Sequence, residues 1–254
     1  MKKSIIHAFL ITALSSCFIT STAQPDNKVK VLFVLTSHNQ LGNTGKNTGF
    51  WIEEFATPYY YLVGKNIEVT IATPKGGQAP IDPKSNEPDF QTESTRRYFS
   101  DPITQKKIAN TLKLSNVNSK DYDAIFYPGG HGPMWDLVND ENSISLIQSF
   151  HSEGKPIAFV CHGPAALVNV KNSKGEYLIK GKKLTSFCDT EEEAVHLTKV
   201  VPFSLEGKLK ERGALYEKGA DWSSLIATDG LLVSGQNPQS SHAVAEKLAG
   251  ILIK

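Results

Sequence analysis

Residues 156–166 read PIAFVCHGPAA, and this stretch decides the fold. The apolar run from Pro156 to Val160 stops abruptly at Cys161, and small residues then open what the pattern predicts to be a helix. A short apolar run bounded by turn residues is typical of a buried strand in a parallel sheet. The sharp turn is similar to the nucleophile elbow of hydrolases, with cysteine in place of serine. Backbone N–H groups at the start of a helix favour thiolate over thiol, so the turn predicts a reactive cysteine. The alternative is a buried structural cysteine.

Similar apolar runs recur along the chain and alternate with segments of helical pattern. The predicted strands are residues 30–36, 67–73, 124–127, 156–160, 183–187 and 231–235, and the predicted helices are residues 50–63, 104–114, 143–152, 190–198 and 240–252. The alternation predicts an α/β fold with a mostly parallel sheet and helices on both faces. Residues 74–100 are rich in Pro, Gly, Asp, Asn and Ser, which predicts a long loop or insertion.

Charge and length exclude some classes of function. The 254 residues carry 27 Lys+Arg against 26 Asp+Glu, so the sequence has no basic excess for a nucleic-acid partner. The length is that of one ordinary α/β domain, or at most of two small ones.

The N-terminal segment predicts export. Lys2 and Lys3 precede an apolar run over residues 5–14, and Ser21-Thr22-Ala23 offers a small-residue cleavage site. This pattern predicts a signal peptide over residues 1–23, a mature domain over residues 24–254 and a periplasmic protein without a transmembrane span. The alternative is a lipobox at residues 14–17, which would leave a lipoprotein anchored at Cys17.

Two further motifs are predicted to lie near Cys161, at the carboxyl ends of the strands. Pro128-Gly129-Gly130-His131-Gly132 follows a strand, and its backbone N–H groups, with that of His162, would form an oxyanion hole beside Cys161. A plain tight turn is the alternative. The pair Glu53-Glu54 begins the first helix, and one of the two carboxyls would face the cysteine with a raised pKa. Two solvated acids in a first helical turn are the alternative.

His162 needs an acidic partner if it is to act as a base. Asp189, Glu191, Glu192 and Glu193 follow a short predicted strand and supply four candidates. The spacing does not choose among them, and an acidic helix N-terminus is the alternative.

Together these motifs resemble the ThiJ/PfpI superfamily, which is related to class I glutamine amidotransferases. The resemblance covers residues 29–254. Within the superfamily, the motifs resemble most specifically the branch of glutathione-independent glyoxalases and holding chaperones. Its motifs, in family order, are residues 48–54, 128–132, 160–164, 228–230 and 235–241. The resemblance implies a flavodoxin-like three-layer sandwich. It also implies Cys161 as nucleophile, His162 and Glu192 as its partners, Glu54 as the helix-borne acid, and the backbone of Gly130 and His162 as oxyanion donors.

The implied activity is conversion of small 2-oxoaldehydes such as methylglyoxal to D-lactate through a cysteine hemithioacetal. This activity needs no cofactor and no metal. Some members of the branch carry a histidine just before the proline, but Thr57 stands at that position here, which argues against carrying over a metal site. The alternatives are a holding chaperone with unfolded clients, and a cysteine peptidase or amidase. The superfamily often forms homodimers. Cys188 would pair with Cys161, resolve its sulfenate, or be a buried strand residue.

Overall fold

The structure is a computed structural model and describes residues 28–253. The predicted signal peptide and the anchoring position Cys17 lie outside the described residues, so both stay predictions. Within the described range, no helix has the length and apolar character needed to cross a membrane.

A seven-stranded sheet forms the middle layer, as the alternation of apolar runs predicts. The strands are β1 Lys30–Val34, β2 Glu68–Thr73, β3 Leu112–Lys113, β4 Ala124–Tyr127, β5 Ile157–Val160, β8 Ile226–Asp229 and β9 Leu232–Gly235, while β6 Lys183–Leu184 and β7 Leu215–Tyr216 pair separately. The strand order in the sheet is β3-β2-β1-β4-β5-β9-β8, and every neighbouring pair is parallel except β8 and β9. The central strands are continuous apolar runs because both of their faces are covered.

Helices cover both faces of the sheet and complete three layers. They are α1 Ile52–Gly64, α2 Glu93–Phe99, α3 Pro102–Ala109, α4 Glu141–Ser152, α5 Asp189–Ala194, α6 Leu205–Glu211 and α7 Ser241–Leu252. Side chains alternate across a strand, so Val31 and Phe33 pack in the core that also contains α1 and α7. Leu32 and Val34 pack in the opposite core with α4. The predicted three-layer α/β sandwich is confirmed.

Three local predictions are wrong. Residues 74–100 are not one long loop, because two 3₁₀ turns and helix α2 lie within them. The side chain of Thr92 accepts a hydrogen bond from Thr95 N–H, and this cap starts α2 in a polar sequence. The segment after Cys161 is a 3₁₀ turn, Gly163–Leu167, rather than an α-helix. Residues 183–187 contribute only a two-residue strand, which lies outside the main sheet.

The topology brings the suspected motifs to one edge. Strands β1, β4 and β5 are adjacent and parallel, so their carboxyl ends open onto the same side of the sheet. The loop after β4 carries Gly129 to Gly132, and the turn after β5 carries Cys161. Helix α1 begins at this edge with Glu53 and Glu54 in its first turn. Crevices at the carboxyl ends of strands are where α/β sheets bind ligands.

Candidate active site

Cys161 occupies a strained backbone position at the end of β5. Its φ is +59°, a left-handed conformation that costs free energy in a residue with a side chain. The surrounding chain holds it there, because its N–H donates to Gly235 C=O at 2.9 Å and its C=O accepts from Phe187 N–H at 2.9 Å. The sharp turn that the sequence predicts at this position is therefore present, and it has the geometry of a nucleophile elbow.

The turn presents Cys161 to a cavity of about 780 Å³. The thiol is only 3% exposed, but it lies in the cavity wall together with Glu54, His131 and His162. Four aromatic side chains also line the cavity in two contacting pairs, Trp51 with Phe90 and Phe187 with Trp222, together with polar and charged residues. The site is thus a pocket in which reactive groups share the wall with aromatic side chains, a usual form for small-molecule sites.

Glu54 is completely buried next to the thiol. Its Oε2 accepts a 2.7 Å hydrogen bond from Gly129 N–H, and among the described residues Oε1 has no hydrogen-bond partner of good geometry. Burial raises the pKa of Glu54 to about 8, against the opposing contacts with Cys161 and Gly129. The carboxyl is therefore mostly protonated at neutral pH and is suited to give and take protons there.

Gly129 makes this placement of Glu54 sterically feasible. A Cβ at this position would lie 2.6 Å from the backbone nitrogen of His162 and 2.7 Å from Oε2 of Glu54. Any side chain would push the carboxyl away from the thiol. Gly130, the next residue, has a φ of +82° and approaches the backbone of Gly49 and Trp51 so closely that a Cβ would clash there as well.

The neighbouring acid Glu53 has a different environment. Its carboxyl accepts hydrogen bonds from the hydroxyls of Thr57, at 2.7 Å, and Thr92. Burial raises the pKa of Glu53, while these two hydroxyls oppose the rise. Thr57, the position where the resemblance leads one to look for a metal-binding histidine, is thus occupied in holding Glu53.

The raised pKa of Glu54 makes a prediction for stability. In the unfolded chain this carboxyl titrates near 4.5, and in the folded protein near 8. Between these values the folded state keeps a proton that the unfolded state has lost, so a rise in pH lowers stability. The contribution is fully present below pH 4.5 and is lost as the pH rises through about 8. We expect the free energy of unfolding of the wild type to fall across this range relative to Glu54→Gln, measured by urea unfolding.

The control for this comparison is Glu246→Gln, which alters an exposed carboxyl on α7. Its free energy of unfolding should follow the same pH dependence as that of the wild type. Parallel stability curves for the wild type and Glu54→Gln would contradict a raised pKa at position 54.

The thiol of Cys161 is un-ionised at rest. Burial raises its pKa well above the usual range, and the Glu54 carboxyl raises it further, while the N–H of Gly130 acts in the opposite direction. The prediction of a thiolate stabilised by a helix dipole is therefore wrong for this resting site. The turn after Cys161 is 3₁₀ and short, and the burial of the sulfur outweighs the effect of the Gly130 N–H on its pKa. Activation requires a base that takes the thiol proton.

His162 is placed to be that base. Its Nδ1 lies 3.3 Å from Sγ of Cys161, and its Nε2 lies 2.7 Å from Oε2 of Glu192. An ionised carboxylate only accepts hydrogen bonds, so Nε2 carries the proton and Nδ1 is the free acceptor facing the sulfur. Burial lowers the pKa of His162, and the nearby His131 lowers it further, so the ring is neutral at rest. Burial would raise the pKa of Glu192, but the two imidazoles hold it well below its usual range.

The other acids considered as partners of His162 lie elsewhere. Glu191 Oε1 accepts hydrogen bonds from Trp222 N–H and from the side-chain amides of Gln236 and Asn237. Asp189 accepts from the hydroxyl of Ser204, and Glu193 is exposed. Glu192 is thus the acid of this group that hydrogen-bonds to the His162 ring.

Sequence reasoning missed the side chain of His131. It considered this residue only as part of a glycine-rich loop, yet Nε2 of His131 lies 2.9 Å from Oε1 of Glu192. The histidine inside the Gly-Gly-His-Gly motif could have indicated a role for this side chain, because a tight glycine-rich loop does not need an imidazole for its backbone geometry. The ligand-type atoms of His131, His162 and Glu192 lie within 4.8 Å of one another, but the two histidine–glutamate hydrogen bonds account for that spacing.

Cys188 is the helix N-cap of α5 and not a strand residue. Its thiol donates to Glu191 Oε2 at 3.2 Å, and burial raises its pKa to about 11. Both described cysteines are free thiols, so the structure contains no Cys161–Cys188 disulfide among residues 28–253. Packing and hydrogen bonding to the start of α5 explain Cys188.

A family model matches most of the chain. The DJ-1/PfpI family is matched over residues 47–250. Among curated proteins, the chain is 33% identical over 227 residues to "Glyoxalase 3" of Candida albicans, covering 86% of this chain and 96% of the relative. It is 30% identical over 225 residues to "Glutathione-independent glyoxalase HSP31" of Saccharomyces cerevisiae, covering 85% of this chain and 94% of that protein.

Solved structures with a similar fold and sequence agree with the family match. The structure of Rapid Encystment Protein 24 KDa of Francisella tularensis is 39% identical to this chain in sequence, with a TM-score of 0.85. The match covers 89% of this chain and 100% of that chain. The crystal structure of glyoxalase III from Candida albicans is 32% identical with a TM-score of 0.81, and the match covers 87% of this chain and 96% of that chain.

Proposed function

Because this chain belongs to the DJ-1/PfpI family, we propose that it is a glutathione-independent glyoxalase that converts small 2-oxoaldehydes to 2-hydroxy acids. The names of relatives that match nearly their whole length support the class of reaction. The observation that carries the proposal is the position of Cys161 between a protonated acid, Glu54, and a neutral base, His162, in the wall of one cavity.

The first step is addition of Cys161 to the aldehyde. The sulfur forms a bond to the aldehyde carbon while Nδ1 of His162 takes the thiol proton. The imidazolium then gives this proton to the aldehyde oxygen, which becomes the hydroxyl of a hemithioacetal. While this oxygen carries negative charge, the backbone N–H groups of Gly130 and His162 are the proposed donors to it. The imidazolium that forms is stabilised by Glu192 at 2.7 Å.

The second step is an internal oxidation and reduction. Glu54, as carboxylate, removes the hydrogen of the former aldehyde carbon as a proton and gives it to the ketone oxygen, which forms an enediol. Glu54 then takes the hydroxyl proton of the first carbon and delivers it to the neighbouring carbon. The first carbon becomes a thioester and the second an alcohol, so the electrons balance without an external oxidant or reductant. A pKa of about 8 makes both forms of Glu54 accessible near neutral pH. Water then hydrolyses the thioester and frees Cys161.

The test is product analysis. Purified protein incubated with methylglyoxal in the absence of glutathione should form lactate, and chiral chromatography should find a single enantiomer, D-lactate, because Glu54 is fixed on one side of the bound intermediate. A boiled sample is the control for spontaneous chemistry. Absence of lactate above that control, or a racemic product, would contradict the proposal.

A second candidate is a cysteine peptidase or amidase. The chain of hydrogen bonds from Cys161 through His162 to Glu192 also suits acyl transfer. Incubation with peptide and amide substrates, followed by mass analysis of the products, distinguishes this activity from lactate formation.

A third candidate is a holding chaperone, which needs exposed apolar surface rather than a thiol. Phe99 of α2 and Ile103 of α3 are 40% and 72% exposed on successive helices. Light scattering of a denatured client tests this role, and a Cys161 variant that still suppresses aggregation would separate it from the enzyme. The setting that we propose for either role is the periplasm, on the sequence signature of residues 1–23.

A further inference from the structure

One carboxylate in this site binds two imidazoles. Oε1 of Glu192 is 2.9 Å from Nε2 of His131, and Oε2 is 2.7 Å from Nε2 of His162. The two rings are 4.2 Å apart between centroids and tilted by 41°. All three side chains are buried, with His162 almost inaccessible and His131 at the cavity wall. The mechanism described above uses only one of the two imidazoles.

The three groups come from three separate segments of the fold. Glu192 lies on α5, His131 on the loop after β4, and His162 in the turn after β5. Within residues 28–253, the Glu192 carboxylate makes its side-chain hydrogen bonds to these two rings, one on each oxygen, and they define its orientation. If the bond from His131 were removed, Oε1 would be a buried oxygen without its partner, which is energetically unfavourable.

The orientation of Glu192 matters because it determines the tautomer of His162. A carboxylate that accepts from Nε2 keeps the proton of the neutral ring on that nitrogen and leaves Nδ1 as an acceptor toward Sγ of Cys161. If the carboxylate turned toward a new partner, the proton of His162 would be free to reside on Nδ1. In that tautomer the ring presents an N–H to the sulfur and has no lone pair for the thiol proton.

We propose that His131 is a positioning residue, which holds the Glu192 carboxylate so that His162 keeps its proton on Nε2 and receives the Cys161 proton on Nδ1. The inference rests on the proposed function for its effect on turnover, but its effect on the His162 tautomer is independent of any substrate. The proton moves from sulfur to nitrogen, and no electron transfer is involved.

The same bond adds a contact to the loop after β4, which backbone hydrogen bonds to residues 49 and 51 also hold. Gly130 directly precedes His131, and its N–H acts on the sulfur of Cys161. The bond from the His131 ring to α5 ties this peptide to the element that also orients His162.

The experiment compares two substitutions of the same residue. His131→Gln places an amide N–H within reach of Glu192 and retains a donor, whereas His131→Ala removes it. His151→Ala on the exposed side of α4 is the control for loss of a histidine as such. Thermal melting establishes that each variant is folded. The readouts are kcat/KM for methylglyoxal and the ¹⁵N chemical shifts of the His162 ring, which distinguish the two tautomers.

We expect the wild type and His151→Ala to show His162 protonated on Nε2. His131→Ala should lose this signature. It should also lower kcat/KM about 10- to 100-fold, a usual effect of removing a residue that orients a reactive side chain. His131→Gln should restore the signature and most of kcat/KM. An unchanged tautomer in His131→Ala would overturn the proposal. So would an equal loss of kcat/KM in both variants with the tautomer preserved, since that outcome would assign His131 a direct contact with substrate.

The two failures are distinguishable. If the wild type forms no lactate but the His162 tautomer responds to His131→Ala and is restored by His131→Gln, the proposed function is wrong and the positioning role is right. If His131→Ala does not fold, His131→Phe replaces it in the comparison, because a phenyl ring fills the space of the imidazole and donates no hydrogen bond to Glu192. An Nδ1-protonated His162 in the folded wild type contradicts the inference by itself.

Discussion

Replacement of Cys161 by alanine is expected to abolish lactate formation from methylglyoxal and to leave the fold intact. The sulfur forms the covalent bond to the substrate in the proposed reaction, and no other described group in the cavity wall is a thiol. Loss of a covalent nucleophile costs at least about 10⁴-fold in kcat. Lactate release measured by chiral chromatography, with circular dichroism to establish folding, checks this result.

Cys188→Ser is the matched control for this variant. Cys188 caps α5 and contacts Glu191, and serine preserves a small hydrogen-bonding side chain at a helix start. Turnover should stay within a few-fold of the wild type. D-lactate formation by Cys161→Ala at a rate near that of the wild type would exclude Cys161 as the nucleophile.

Glu54→Gln is expected to lower kcat by about 10²- to 10⁴-fold, the usual contribution of a general acid and base. Glutamine keeps the shape and neutrality of the protonated carboxyl, so the contact with Gly129 N–H is retained. The amide cannot accept the substrate proton, so the hemithioacetal should form and then stop. Rapid-quench analysis and mass spectrometry of the protein after exposure to methylglyoxal check for this stalled adduct.

Glu53→Gln tests the same chemistry at the adjacent position. Its carboxyl is held by Thr57 and Thr92, so its replacement should change kcat far less than Glu54→Gln does. A larger loss from Glu53→Gln than from Glu54→Gln would contradict the assignment of the two acids.

The layers of the fold were predictable because their signal is contained in short, continuous stretches. Apolar runs such as residues 30–36 and 156–160 indicate buried parallel strands from local sequence alone, without information on long-range contacts. The reactive edge was predictable for the same reason, since Cys161 and the glycines at 129–130 follow such runs directly. The strand β8 was missed because it is partly exposed and pairs antiparallel at the border of the sheet, where an apolar run is not required.

A raised pKa at one carboxyl of the Glu53-Glu54 pair was predictable from the sequence, but the ionisation of Cys161 was not. The thiolate expected at Cys161 assumed a helix dipole, but whether a buried acid lies against the sulfur depends on how α1 packs over the edge of the sheet. The link between His131 and Glu192 joins residues that are 61 positions apart. The cap that starts α2 depends on hydroxyl groups that also occur throughout unstructured segments.

Three aromatic side chains of the cavity wall are separate from the hydrogen-bonded groups around Cys161. Trp51 lies just before α1, Phe90 in a 3₁₀ turn, and Trp222 in a separate loop where it is 42% exposed with a φ of +59°. None of these three side chains hydrogen-bonds to Cys161, Glu54 or His162 among residues 28–253. A substitution at any of these three positions therefore reshapes the cavity without removing a hydrogen bond from the reactive groups.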